Sequence, residues 1–138
     1  MALVTVVDLA EGFPKEINVP LPDSLLFYPV MGYVVALLLH AIPLALLLPL
    51  VGKIFRSWAA DSQIALCIVA VASLETVFQL SQATRHLAVF TAIHLFLFGL
   101  VELYIFRRFD FISMYAFRII YYAYWHVAWG HMRLLWLF

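Results

Sequence analysis

Four long apolar runs dominate the chain, separated by short clusters of polar and charged residues. A helix that crosses a bilayer needs about 20 predominantly apolar residues, and each run meets that length. They predict helices over about residues 25–50, 61–82, 84–106 and 111–138. Gly52-Lys53-Ile54-Phe55-Arg56-Ser57-Trp58 reads as an interfacial loop after the first helix. Asp61 or Ser62 is placed to cap the second helix and Asp110 the fourth, while Arg107-Arg108 closes the third. Pro43 falls inside the first helix, where its missing N–H predicts a kink that frees a carbonyl near His40.

Residues 1–24 follow a different pattern. Asp8, Glu11, Glu16 and Asp23 interrupt them, and Pro14, Pro20 and Pro22 favour extended backbone before each ring. The pattern predicts a polar arm lying along the membrane surface. A basic start followed by a long apolar run is missing, so the arm is read as mature chain rather than a signal peptide.

Composition agrees with a bilayer environment. Of the 138 residues, 67% are hydrophobic and 12% charged, with a mean hydropathy of +1.03, against about 25% charged in soluble domains. A water-soluble fold of this size leaves too much surface exposed to hide such a sequence. The fold class expected is therefore all-α: an integral membrane bundle of four transmembrane helices (residues 25–138) with a short N-terminal interfacial arm (residues 1–24). Eight basic and eight acidic residues give zero net charge, which offers no basic stripe for nucleic acid. Cys67 is the only cysteine, so no internal disulfide forms.

Loop charge suggests an orientation. Lys53, Arg56, Arg107 and Arg108 fall in the first and third loops. The positive-inside rule then places those loops in the cytoplasm and both termini outside a bacterial-type inner membrane. Trp58, Trp136 and Tyr28 fall near span ends, where amphipathic rings prefer to sit.

The ionisable residues inside the spans are the informative ones. A charge at the bilayer centre costs at least about 2.5–3.5 kcal/mol and usually marks a site facing the bundle interior. Glu75, Glu102, Arg118, His40, His94 and His126 all fall within spans. In an antiparallel hairpin, residues equidistant from the turn share a level. Glu75 stands 9 residues before Thr84 and His94 stands 10 after, while His94 and His126 each stand 16 from Asp110. Glu75, His94 and His126 are therefore expected at one level, with His40 near it. Glu102 and Arg118 each stand 8 residues from Asp110, which predicts a structural ion pair between the third and fourth helices. His86 and His131 fall close to the outer interface.

Several chemistries suit such a cluster. A buried carboxylate beside imidazoles can act as a general base on water. His40, Glu75, His94 and His126 can ligate a divalent metal. His40, His94 or His126 can serve as axial ligands of haem or a chlorophyll-type pigment. A hydrogen-bonded network that specifies packing needs no cofactor.

Three segments, Leu74-Glu75-Thr76-Val77-Phe78-Gln79, Phe90-Thr91-Ala92-Ile93-His94 and His126-Val127-Ala128-Trp129-Gly130, together resemble the ordered motifs of a known family. This is the CAAX protease and bacteriocin-processing (CPBP) family of glutamic-type intramembrane proteases, with motifs Glu-Glu-x-x-x-Arg, Phe-x-x-x-His and His-x-x-x-Asn. The resemblance covers about residues 62–131. Only one of the paired glutamates is present, Gln79 stands at the arginine position and Gly130 at the asparagine. The resemblance implies Glu75 as the base, His94 as its assistant and His126 as an oxyanion stabiliser. The departures imply a reduced relative without peptidase activity. The leading expectation is a non-catalytic accessory or scaffold subunit, bathed in membrane lipids and packed against other integral membrane proteins. The alternatives are an intramembrane endopeptidase of the CPBP type and a haem-, chlorophyll- or metal-ligating membrane subunit.

Overall fold

A computed structural model describes residues 2–11, 13, 15–80 and 87–137, and all their regular structure is helical. The elements are α1 (Ala2–Glu11), a 3-10 turn (Lys15–Ile17), α2 (Ser24–Val35), α3 (Ile42–Ile54), α4 (Ala60–Leu80), α5 (Ala88–Arg108), α6 (Phe111–Tyr122) and α7 (Gly130–Trp136). Widened π-helical turns, Ala36–Ala41 and Ala123–Trp129, join α2 to α3 and α6 to α7. Three helices are long and apolar enough to cross a membrane: Ser24–Ile54, Ala60–Leu80 and Ala88–Arg108. The Thr84 turn, the flanking ends of the second and third expected spans, and His86 lie outside the described residues.

The chain divides into two compact units. One, Val35–Met114, contains the first π-turn and α3 to α5. Its core is Leu44, Val51, Cys67, Val71, Ala72 and Leu103, flanked by Leu47, Phe55, Ile68, Phe96, Leu100 and Phe106. Small residues let α4 and α5 approach closely, as in membrane helix pairs generally. A Cβ on Gly99 would lie 3.4 Å from the Cα and Cβ of Ala72. The loop between α3 and α4 is closed by Gln63, whose Nε2 donates to the carbonyls of Phe55 (2.9 Å) and Trp58 (3.0 Å). These bonds satisfy carbonyls that a helix end leaves without partners. Asp110 caps α6 by accepting the Ser113 N–H at 2.7 Å.

The other unit joins residues 1–34 to residues 115–138. Here the arm departs from expectation, because its first ten described residues form a helix. Each proline of the arm follows Glu11 in sequence, so none interrupts α1. The helix is polar inside and apolar outside: Leu3, Val6 and Leu9 are 60–65% exposed, whereas Asp8 is 1% exposed. Asp8 accepts from Nε of the fully buried Arg133 at 2.9 and 2.7 Å, and from Trp129 Nε1 at 2.8 Å. Arg133 also donates to Asn18 Oδ1 at 2.9 Å and to the Phe13 carbonyl. Thr5 Oγ1 lies 2.9 Å from the Tyr124 hydroxyl. Further along, the Tyr28 hydroxyl accepts the Val19 N–H (2.8 Å) and donates to the Ile17 carbonyl (3.1 Å). The arm is thus fastened to the C-terminal helix by buried polar bonds.

Removing one member of a buried ion pair leaves the other uncompensated and costs about 3–5 kcal/mol. Arg133→Gln should therefore lower the melting midpoint in detergent and expose α1 to proteolysis; a wild-type melt and cleavage pattern would refute this account of the clasp. Gly130→Ala should act in the same direction, because its Cβ would collide with the Asn18 amide.

Asp110 predicts a pH effect. The Ser113 N–H and hydroxyl bonds hold its exposed carboxyl below the usual carboxylate range, so its stabilisation is present above the unfolded pKa and lost as pH falls through the folded one. The melting difference between wild type and Asp110→Ala should be largest at neutral pH and narrow below about pH 4. A difference unchanged from pH 7 to pH 3 would contradict it, the margin being read by thermal unfolding in detergent.

Candidate functional site

The site builds from a local consequence of Pro43. Proline at the start of α3 supplies no N–H to the turn before it. The backbone responds by widening: the Ile42 N–H bonds the Leu37 carbonyl five residues back, a π-helical bond. The expected kink near His40 therefore takes the form of a π-turn, with His40 inside it. Such insertions are frequent at functional sites.

The imidazole projects into the seam of the Val35–Met114 unit. His40 Nε2 lies 3.5 Å from Glu75 Oε2 on α4 and 3.6 Å from Glu102 Oε2 on α5. All three residues are buried, with exposures of 0%, 2% and 0%. Each offers one donor atom, and these atoms all lie within 4.8 Å of one another. Gly99 flanks the group: its missing Cβ would stand 3.5 Å from His40 Nε2.

Within the Val35–Met114 unit the structure groups three of the candidate residues. His40 and Glu75 come together as ligand candidates. The third member is Glu102, which the sequence reading also expected to pair with Arg118. His94 lies two turns before Glu102 on α5, about 12 Å along the axis, with its ring stacked on Phe90 (centroids 5.5 Å) and Phe98 (6.4 Å). His126 belongs to the other unit. Its ring stacks on Tyr28 at 4.3 Å and 16° and meets Tyr122 edge-on at 5.0 Å. Arg118 is fully buried in that same unit, its Nη1 donating to the Tyr122 hydroxyl at 3.1 Å.

A sequence signal for Glu102 existed. Both carboxylates stand three residues after a small residue of the α4–α5 seam: Ala72 precedes Glu75 and Gly99 precedes Glu102. Residues three apart share a helix face, so a small residue that draws two helices together also marks the face on which its neighbour is buried.

With the geometry established, likeness to known proteins can be judged: no family model, curated protein or solved structure matches this chain. The resemblance to glutamic-type intramembrane proteases rests on the motif residues alone.

Gly99 provides a direct test of the seam. A methyl at 3.4–3.5 Å from its neighbours makes ordinary contact, so Gly99→Ala should melt near wild type. Gly99→Leu would wedge α4 from α5 and should cost about 1–3 kcal/mol by overpacking. Equal melting of the two variants would contradict close packing here.

Proposed function

We propose that this chain is a four-span membrane protein whose His40–Glu75–Glu102 centre holds a divalent metal ion, within a larger assembly of integral membrane proteins. The observation that carries this reading is the convergence of three buried donor atoms from three helical segments within 4.8 Å. A tetrahedral ion with bonds of about 2.0–2.2 Å holds its ligand atoms roughly 3.3–3.6 Å apart. The Nε2–Oε2 separations of 3.5 and 3.6 Å fall in that interval. One imidazole and two carboxylates suit zinc, iron(II) or manganese(II), and the set contains no thiolate to favour a softer ion.

Inverted polarity supports the fourth span, residues 111–136. Arg118 and Arg133 are fully buried, while Ile112, Ile120 and Leu135 are 60–75% exposed. That distribution suits hydrocarbon as solvent and would be costly in water. Assembly with other membrane proteins is supported by the bulky outward surface of α4 and α5, where Val77, Phe78, Val89, Ile93 and Leu97 are 55–71% exposed.

The peptidase reading gains less from this geometry. Glu75 is 2% exposed and faces His40, whereas the proposed base needs water. Haem or chlorin ligation by His40 is likewise disfavoured, because two carboxylates occupy the approach to Nε2.

Protein purified from native membranes without chelator should carry a divalent metal, detected by elemental mass spectrometry. His40→Ala, Glu75→Gln and Glu102→Gln should each lose most of it, and chelation should lower the melting midpoint until metal is restored. Metal-free wild type, with a melt indifferent to chelator and to added zinc, iron or manganese, would overturn the proposal. Migration as a lone 15.8 kDa species after gentle solubilisation would count against the assembly.

A further inference from the structure

A second group of residues points to a ligand independently of the buried centre. At the C-terminal end of α5, the exposed side chains of Tyr104, Arg107 and Arg108 border a half-open surface pocket of about 320 Å³. Their spacing, i, i+3 and i+4, puts them on one helix face, and that face looks outward: Tyr104 is 62% exposed and the Arg107 side chain 46%. The face belongs to a helix apolar enough to cross a bilayer, and the arginines occupy its last turn. In a membrane this places them at the headgroup level, with Tyr104 about one turn deeper.

We propose that Tyr104, Arg107 and Arg108 form a binding site for the phosphate of an anionic membrane lipid. The phosphodiester presents two unesterified oxygens, which guanidinium groups bind in a planar, charge-assisted manner. The Tyr104 hydroxyl stands at the depth of the glycerol and ester oxygens, where amphipathic rings settle. Basic pockets beside spanning helices on the cytoplasmic side attract anionic headgroups, and loop charge assigns this end to that side.

Neighbouring charges modulate the site. Asp61, on α4, pairs with Arg107 at 2.7 Å, and its side chain is 86% exposed. It therefore competes with the phosphate for one guanidinium. Arg108 carries no such pair among the described ion pairs and stands 6.0 Å from the Phe109 ring centre. Lys53 and Arg56, at the end of α3, add positive potential on the same side, and Asp110 subtracts from it.

The test is a lipid titration of the full chain in detergent, followed by native mass spectrometry. The probes are short-chain phosphatidylglycerol, phosphatidylcholine of equal chain length, and glycerol 3-phosphate. Phosphatidylglycerol should be retained preferentially. Arg107→Gln/Arg108→Gln should weaken it at least tenfold, and Asp61→Asn should tighten it severalfold. Arg108→Gln alone serves as the conservative variant if the double change impairs folding, and should weaken binding partially. Equal retention of the two lipids, or preference unchanged by the arginine variants, would overturn the proposal. Glycerol 3-phosphate binding as tightly as the lipid would also overturn it, by assigning the pocket to a soluble phosphate. Loss of metal from the buried centre leaves this result untouched, so the two proposals stand or fall separately.

Discussion

Hydrocarbon supplies no partner for a charge, and that constraint organises both units of this protein. Every ionisable side chain within reach of the bilayer core must meet its partner inside the protein. In the unit formed by the two ends of the chain, Arg133 is fully buried and spends its donors on Asp8, Asn18 and the Phe13 carbonyl. In the central unit, His40, Glu75 and Glu102 converge from separate helical segments. The apolar residues point the other way, with Leu3, Val6, Leu9, Ile112 and Leu135 outward. Buried polar bonds within each unit and apolar side chains on its exterior depart from the oil-drop pattern of a soluble domain.

Two backbone features give the central group its position. Pro43 withholds one N–H, the helix widens into a π-turn, and His40 is carried within that turn. Gly99 and Ala72 let α4 and α5 approach until their backbones touch a common seam. A single added branch at position 99 would reach both the seam and the imidazole. The chemistry of the site is thus held by residues that carry no chemistry themselves.

The apolar runs made three membrane-length helices legible, because twenty consecutive apolar residues admit few other readings. Pro43 likewise announced a break beside His40. The arm was misread for a physical reason: composition averages over faces, and one helix with Thr5 and Asp8 turned inward looks polar along the sequence while presenting an apolar exterior. Glu102 was not grouped with His40 because counting about Asp110 matched it to Arg118, while the level of Glu75 was counted about Thr84. The midpoint of Glu75 and Glu102 is residue 88.5, about one helical turn further on, and both carboxylates reach His40. Counting from a turn assigns levels to backbone positions, whereas a long carboxylate side chain can reach across more than one level. His126 was legible as a polar residue inside a span but not as the stacking partner of Tyr28, since stacking depends on rotamers that spacing does not encode.

The bond between Asp8 and Arg133 joins residues 125 positions apart. A ribosome adding about 5–20 residues per second delivers the arginine on the order of ten seconds after the aspartate. During that interval α1 has no guanidinium to receive it. Asp8 must then wait in water, at a lipid headgroup or against an insertion factor, until α7 emerges. Seating of α1 is therefore a retrograde step, in which an earlier segment settles only after a later one has been made.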